Sequence, residues 1–254
     1  MNDLPCNYVL CSNPRSGTTL LCTMLADTGV AGCPNSFFRQ EGLQEWAQDW
    51  GIDAQADPMD PAFSSRYLLE MQRAGRGKTS VFGLRLMGPD LRFACGWLNR
   101  LYPGLPSDLA RLQAAFGPLR FIHLTRQDKL AEAVSYVKAE QSGVWHRNAD
   151  GSIHEALAPN LPDGFNVLAI HERLNMLRHL DVAWHAWFAA ENIAPLRLTY
   201  ESLSEDPQAI LADVLSHIGQ DPALAASITP SLRKLADQTS SDWIARYRQI
   251  YPDR

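Results

Sequence analysis

The sequence predicts an α/β fold with a parallel central sheet flanked by helices. Two observations carry this expectation. Short apolar, β-prone runs alternate along the chain with stretches of helical periodicity, and such alternation places parallel strands beneath crossover helices. In addition, the first such run passes through a Ser/Asn/Pro turn directly into a helix.

Taken in order, Tyr8-Val-Leu-Cys11 is the first strand and ends at Ser12-Asn13-Pro14. Helical periodicity starts near Ser16, with Leu20, Leu21, Met24 and Leu25 on one face, and stops at Thr28-Gly29, where Gly29 suits a left-handed cap. Thr79 to Leu86 and Leu119 to Leu124 are the second and third strands, followed by helices over Pro89 to Leu101 and Asp128 to Glu140. A fourth run, Leu196 to Tyr200, precedes a helix starting at Asp206-Pro207, an acceptor at the cap with proline at the first helical position. The longest helix is expected over Val167 to Glu191, where Ile170, Leu174, Leu177, Trp184, Trp187 and Phe188 share a face and belong to the core. Ile52 to Ser65 and His146 to Asn166 read as irregular, and loops of that length in compact domains often serve as lids. The expectation is one domain over 1–254, with cap or lid segments at 36–66 and 146–166.

Composition narrows the function. The 254 residues suffice for one large domain with a substantial core, and 46% apolar with 20% charged residues is ordinary for a globular chain. A net charge of −5 argues against a nucleic-acid coat, although a small anion needs only a local cluster of arginines and amides. The five cysteines form no C-x-x-C pair and their number is odd, which argues against structural disulfides and for a reducing cytoplasm. No basic leader precedes the short apolar start, and no run approaches the ~18 apolar residues of a membrane span, so a soluble protein is expected. His171-Glu172 is followed at 175 by Asn175 rather than histidine, so zincin spacing fails and no metal is expected.

Ser12-Asn-Pro-Arg-Ser-Gly-Thr-Thr19 lies between a strand and a helix. Amides at a helix N-terminus point outward, and the helix dipole favours an anion there. Gly17 removes the Cβ that would block close approach, Arg15 can fork onto an oxyanion, and Ser16, Thr18 and Thr19 add hydroxyl donors next to Pro14. A phosphate fits this loop. The nucleoside-triphosphate version, G-x-x-x-x-G-K-[ST], is not met, since Thr18 follows Gly17 and the first glycine is absent. Downstream, Phe121-Ile-His-Leu-Thr-Arg126 puts an arginine at the carboxyl end of a strand, the edge where open α/β sheets bind ligands. Ser135 follows about two and a half helical turns later and faces the same edge. An arginine and a hydroxyl there suit a second, separate phosphate. His123, inside an apolar run, reads as a core histidine.

Together the two sites resemble the PAPS-dependent sulfotransferase superfamily, whose members use 3′-phosphoadenosine 5′-phosphosulfate (PAPS) and share a P-loop-kinase-like parallel sheet. The closest likeness is to the bacterial trehalose 2-sulfotransferase-like family. It rests on Tyr8 to Phe38, on Phe82-Gly-Leu-Arg-Leu-Met87, on His123 to Trp145, and on Ala236 to Tyr247. The resemblance implies that Pro14 to Thr19 is the 5′-phosphosulfate loop and that Arg126 and Ser135 hold the 3′-phosphate. It further implies that Tyr200 lies near the adenine and that Lys234 or Gln238-Thr239 closes over the 3′-phosphate. A carbohydrate or glycolipid acceptor, no metal, and a homodimer are also implied.

Sulfuryl transfer requires in-line attack, stabilisation of a departing phosphate and a base for the acceptor proton. Arg15 suits the second of these. In the trehalose-type members the base is a glutamate just before an aromatic pair, and the matching position is Ser36, before Phe37-Phe38. A serine is no general base by itself. Glu41 is therefore the leading candidate, with Arg85 as an electrophile near the transferring group and Glu140 or His146 as more distant options. The rival readings are a P-loop kinase-like nucleotide enzyme and a non-catalytic nucleotide-binding protein lacking the base.

Overall fold

A computed structural model describes residues 6–53, 57–58, 60–147, 150–231 and 237–252. The chain runs β1 (Asn7–Ser12), α1 (Thr18–Asp27), a 3-10 turn at Gln40–Gly42, α2 (Leu43–Asp49), α3 (Pro61–Arg76), β2 (Gly83–Met87), α4 (Gly88–Leu101), α5 (Asp108–Phe116), β3 (Leu119–Thr125) and α6 (Lys129–Ser142). It continues with β4 (Val144–Arg147), β5 (Ile153–Ala156), α7 (Val167–Ala190), β6 (Leu196–Thr199), α8 (Tyr200–Glu205), α9 (Pro207–His217), a 3-10 stretch at Pro222–Ser227 and α10 (Gln238–Ile250). Strands β2, β1, β3 and β6 form, in that order, a wholly parallel sheet, and β4 pairs with β5 in a separate antiparallel hairpin. The predicted α/β class with a parallel central sheet is what the chain adopts.

Both faces of the sheet are covered, so its strands alternate between two apolar layers rather than between core and water. Val9, Cys11, Leu84 and Phe121 pack with Trp97, Phe116, Trp184 and Phe188 on one side. Tyr8, Leu10, Ile122 and Leu124 pack with Leu21, Leu25, Leu211 and Val214 on the other. A third cluster joins α6, α7 and α10 through Val134, Val137, Ile170, Leu174, Trp243 and Tyr247. Trp184 is fully buried, with its indole N–H donating to the Ser12 carbonyl at 3.2 Å, so the tryptophan expected in the core also steadies the end of β1. Among the described residues no helix is long and apolar enough to cross a membrane.

Three expectations need correction. Strand β2 starts at Gly83, not Thr79, because the Thr79 hydroxyl bonds the Arg76 and Val81 carbonyls, both at 3.0 Å, and closes a turn. The stretch expected to be irregular from Ile52 to Ser65 contains the start of α3. Asp60 accepts from the amides of Ala62 and Phe63 and Pro61 takes the first helical position, a cap signature read there as loop composition. The segment expected to be irregular from His146 to Asn166 opens with the β4–β5 hairpin.

His123 occupies β3 as a core residue, 1% exposed, against the rings of Trp184, His185 and Phe188. Burial, with the charges of His185, Arg197 and Lys129 adding to it, pulls its pKa down to about 3. A group whose folded pKa lies below its unfolded value stabilises the fold above the unfolded pKa and loses that contribution as pH falls. Between pH 6.5 and about 3 the native state should therefore weaken by on the order of 1.4 kcal/mol per pH unit from this residue. A His123→Leu protein, followed by denaturant unfolding across that window, should show a shallower acid loss than the wild type. Equal slopes would remove His123 as the cause.

Candidate active site

Strand β1 leads to β2 on one side and has β3 on the other, so the chain changes direction between the carboxyl ends of β1 and β3. Loops leaving such a switch point diverge and open a crevice. The β1–α1 loop and Arg126 flank it.

The loop is strained in a specific way. Arg15 takes φ +70°, a left-handed conformation rare for a side chain other than Gly, Asn or Asp, and Gly17 takes φ +87°. The turn is closed from beneath, since the Ser16 hydroxyl donates to the Asn13 carbonyl at 2.6 Å and contacts the Ser12 hydroxyl. Ser16 is fully buried, so its hydroxyl faces the protein rather than the crevice, contrary to the role expected of it. Thr18 is also buried. What the loop presents instead is the start of α1, where Gly17 is the cap residue with no side-chain cap and no acidic residue follows in the first turn. Those amides suit an anion. A Cβ on Gly17 would stand 2.8 Å from Cδ2 of Tyr200 and 3.2 Å from Cδ2 of Leu203, so only glycine fits there.

Arg126 follows the end of β3. Its guanidinium lies 4.5 Å from the centre of the Tyr200 ring, and its Nη1 donates to the Arg15 carbonyl at 3.4 Å. Tyr200 is thus held between Gly17 and Arg126. The buried Nε of Arg126, a residue that lines the crevice, has no hydrogen-bond partner. Arg15 turns its own Nε onto the Ser135 hydroxyl at 3.1 Å and its Nη1 onto the Trp145 carbonyl. The two anion sites expected to be separate therefore meet: Arg15 bridges from the loop to Ser135.

Below the loop a buried polar chain fixes its root. Asn13 donates to Asp181 at 2.6 Å, Lys129 pairs with Asp181 at 2.7 Å and with Glu132 at 2.8 Å. Burial raises the Glu132 pKa to about 7 against the opposing pull of Lys129.

Arg15, Gly17, Arg126, Ser135, Tyr200 and Thr239 all line one cavity of about 830 Å³. Its far wall is the start of α10, where Asp237, Thr239, Ser240 and Trp243 face inward. Gln238 does not line it; its amide donates to Asp242 along the helix at 2.9 Å. Lys234 lies outside the described residues. Lys138, which also lines the cavity, bonds Asp237 and, at 2.9 Å, Ser240. The sequence reading missed this cation, although its place three residues after Ser135 puts it on the same helical face.

A second cavity, of about 440 Å³, is lined by Thr19, Ser36, Arg39, Glu45, Trp46 and Arg85 among others. Arg85 donates to the Thr19 hydroxyl at 2.9 Å, to Ser36 Oγ at 2.8 Å and to Asn35 Oδ1 at 3.3 Å. The backbone supports this, because Asn35 bridges to Leu84 on the sheet edge and accepts from the Arg85 amide at 3.1 Å. The Thr19 hydroxyl also contacts Nε2 of His146 at 3.0 Å. Glu41, by contrast, is exposed on the 3-10 turn before α2 and lines neither cavity, and Glu140 is locked to Arg173 by bonds of 2.9 and 2.8 Å.

The family described as Stf0 sulphotransferase matches residues 7–250. A trehalose 2-sulfotransferase of Mycolicibacterium smegmatis is 31% identical, the match covering 98% of this chain and 97% of that protein. A second, from Mycobacterium tuberculosis, is 32% identical over 96% of this chain and 95% of that protein. Among solved structures, the sulfotransferase domain from the curacin biosynthetic pathway aligns over 99% of both chains at 16% identity with a TM-score of 0.45, too distant to carry an argument.

Proposed function

The chain belongs to the Stf0 sulphotransferase family, and on that premise we propose that it transfers a sulfuryl group from PAPS to a hydroxyl of a carbohydrate or glycolipid acceptor by in-line displacement. The observation that carries this reading is a pair of cavities whose walls touch through the His146–Thr19 contact: one rich in cations and uncapped amides, the other polar with an aromatic wall. The first suits an adenosine nucleotide phosphorylated at both ends. Arg126 brings an unpartnered buried donor to the 3′-phosphate, with Ser135 beside it, and the Gly17–Thr19 amides face the 5′-phosphate. Pro14 helps to set the turn, Tyr200 offers a ring to the adenine, and Thr239 approaches from α10. The second cavity suits a sugar, with Trp46 as a face and Arg39 and Glu45 as hydroxyl partners.

Chemistry at the junction follows from what these groups can do. The acceptor oxygen attacks sulfur, the bond from sulfur to the 5′-phosphate oxygen breaks, and charge gathers on the departing phosphate. Fixed cations aimed at that charge lower the barrier because they need no reorganisation. Arg85, bonded to Thr19, and Arg15, held by Ser135 and the Trp145 carbonyl, are the fixed cations; Ser36 orients Arg85 rather than taking a proton. The proposal is tested by offering labelled PAPS with trehalose and a panel of other sugars and glycolipids. Label is expected on at least one acceptor hydroxyl. Tight bisphosphate binding with no labelled product would favour the non-catalytic reading that Ser36 raises.

A further inference from the structure

The β4–β5 ladder carries two register shifts, one on each side of His146. Val144 pairs with Ala156 and His146 with Glu155, so two steps on β4 match one on β5 and Trp145 is the extra residue. A bulge frees the backbone of the inserted residue and re-aims its neighbours, and bulges concentrate beside active sites. Both consequences are visible here. The freed Trp145 carbonyl takes the Arg15 guanidinium, while the Trp145 ring packs on Tyr136 at 5.4 Å between centroids. His146, in the wall of the larger cavity, is turned onto Thr19, in the wall of the smaller, across 127 residues of sequence.

We propose that His146 is the general base for the acceptor hydroxyl, taking the place of the glutamate that Ser36 lacks. This rests on the sulfotransferase reading above. Position, hydrogen-bonding capacity and the placement of the rival carboxylates single it out. It lines the larger cavity and touches Thr19, which lines the smaller one, so its Nε2 stands at the border a transferring group must cross. Arg85 donates to Thr19, and when the single hydroxyl proton of Thr19 points to Nε2, that nitrogen is an acceptor. Of the carboxylates considered from sequence, Glu140 is engaged by Arg173, and Glu41, on the exposed 3-10 turn, lines neither cavity. Charged groups lining the two cavities are Arg15 from the loop, Arg126 after β3, Lys138 from α6, and Asp163 and Asp237 on the larger, and Arg39, Glu45 and Arg85 on the smaller.

The step balances without a further reactant. As the acceptor oxygen forms its bond to sulfur, its proton passes to Nε2. The electron pair of the breaking sulfur–oxygen bond leaves on the 5′-phosphate of the bisphosphate product. The imidazolium then returns the proton to water.

The test compares wild type, His146→Gln and His146→Ala in labelled-sulfate transfer across pH, with calorimetric titration of 3′,5′-adenosine bisphosphate on each protein. His146→Gln should lose about 10²-fold in kcat and the acid limb of its pH profile, with bisphosphate affinity unchanged. His146→Ala should regain activity as the concentration of neutral imidazole rises. An active wild type whose His146→Gln form keeps its kcat and acid limb overturns the assignment. So does a parallel loss of bisphosphate binding, which would make His146 a structural residue. A wild type that transfers no label to any acceptor overturns the sulfotransferase reading itself, and this proposal with it.

Discussion

An Arg126→Ala protein should bind 3′,5′-adenosine bisphosphate about 10²-fold or more weakly, the loss expected when one partner of a buried, hydrogen-bonded charge pair is removed. Adenosine 5′-phosphosulfate, which lacks the 3′-phosphate but shares the adenine facing Tyr200, should lose far less. The contrast follows from position. Arg126 lies at the end of β3, stacked on Tyr200, and its buried Nε has no partner in the protein. Its removal leaves the α1 amides as they are, because its contact with the loop is the single long bond to the Arg15 carbonyl. Titration calorimetry of both nucleotides on both proteins reads the ratio directly. Equal losses for the two would place Arg126 outside the 3′-phosphate site.

Arg15→Ala is expected to cut kcat by about 10²–10³, the usual loss when one preorganised donor to a developing oxyanion is removed. Two effects combine in this residue. Its guanidinium is held by Ser135 and the Trp145 carbonyl, so it is fixed before substrate arrives. Its strained backbone, at φ +70°, shapes the turn that exposes the start of α1. Arg15→Lys should recover little, because an ammonium cannot span two partners as a planar fork does. Steady-state kinetics separate the roles: a fall in kcat marks a transition-state contact, whereas a rise in KM alone marks ground-state binding. The latter result would move Arg15 from catalysis to nucleotide capture.

Legibility in the sequence followed the range of the interactions. The β1 strand, its loop and α1 could be read because a change of hydrophobic period, a turn and Gly17 all fall within twenty residues. Arg126 was visible as an arginine ending an apolar strand. Local readings failed where a side chain had two local choices. The Ser16 hydroxyl could face the anion or the turn, and the carbonyl of Asn13 claimed it. Asp60-Pro61 could be loop or cap, and the amides of Ala62 and Phe63 decided for the cap.

Long-range geometry was beyond reach. Nothing near Arg15 announces Ser135, 120 residues away, and nothing near Thr19 announces His146. The latter contact depends on a bulge whose register exists only once β4 and β5 have paired. Segment composition around His146 suggested a loop for the same reason: a hairpin with irregular pairing has no clean alternation to read. Glu41 illustrates the converse. Proximity in sequence to Ser36 recommended it, yet the 3-10 turn at Gln40–Gly42 leaves it exposed, outside the lining of both cavities.

The proposed function requires one cavity at the β1–β3 switch point to take an adenosine nucleotide by phosphates at both ends with no metal added. Competitive calorimetry with 3′,5′-adenosine bisphosphate against ATP–Mg²⁺ addresses it most directly. The bisphosphate should bind in the presence of a chelator and exclude ATP. Preferential binding of ATP–Mg²⁺, or no bisphosphate binding at all, would contradict the account.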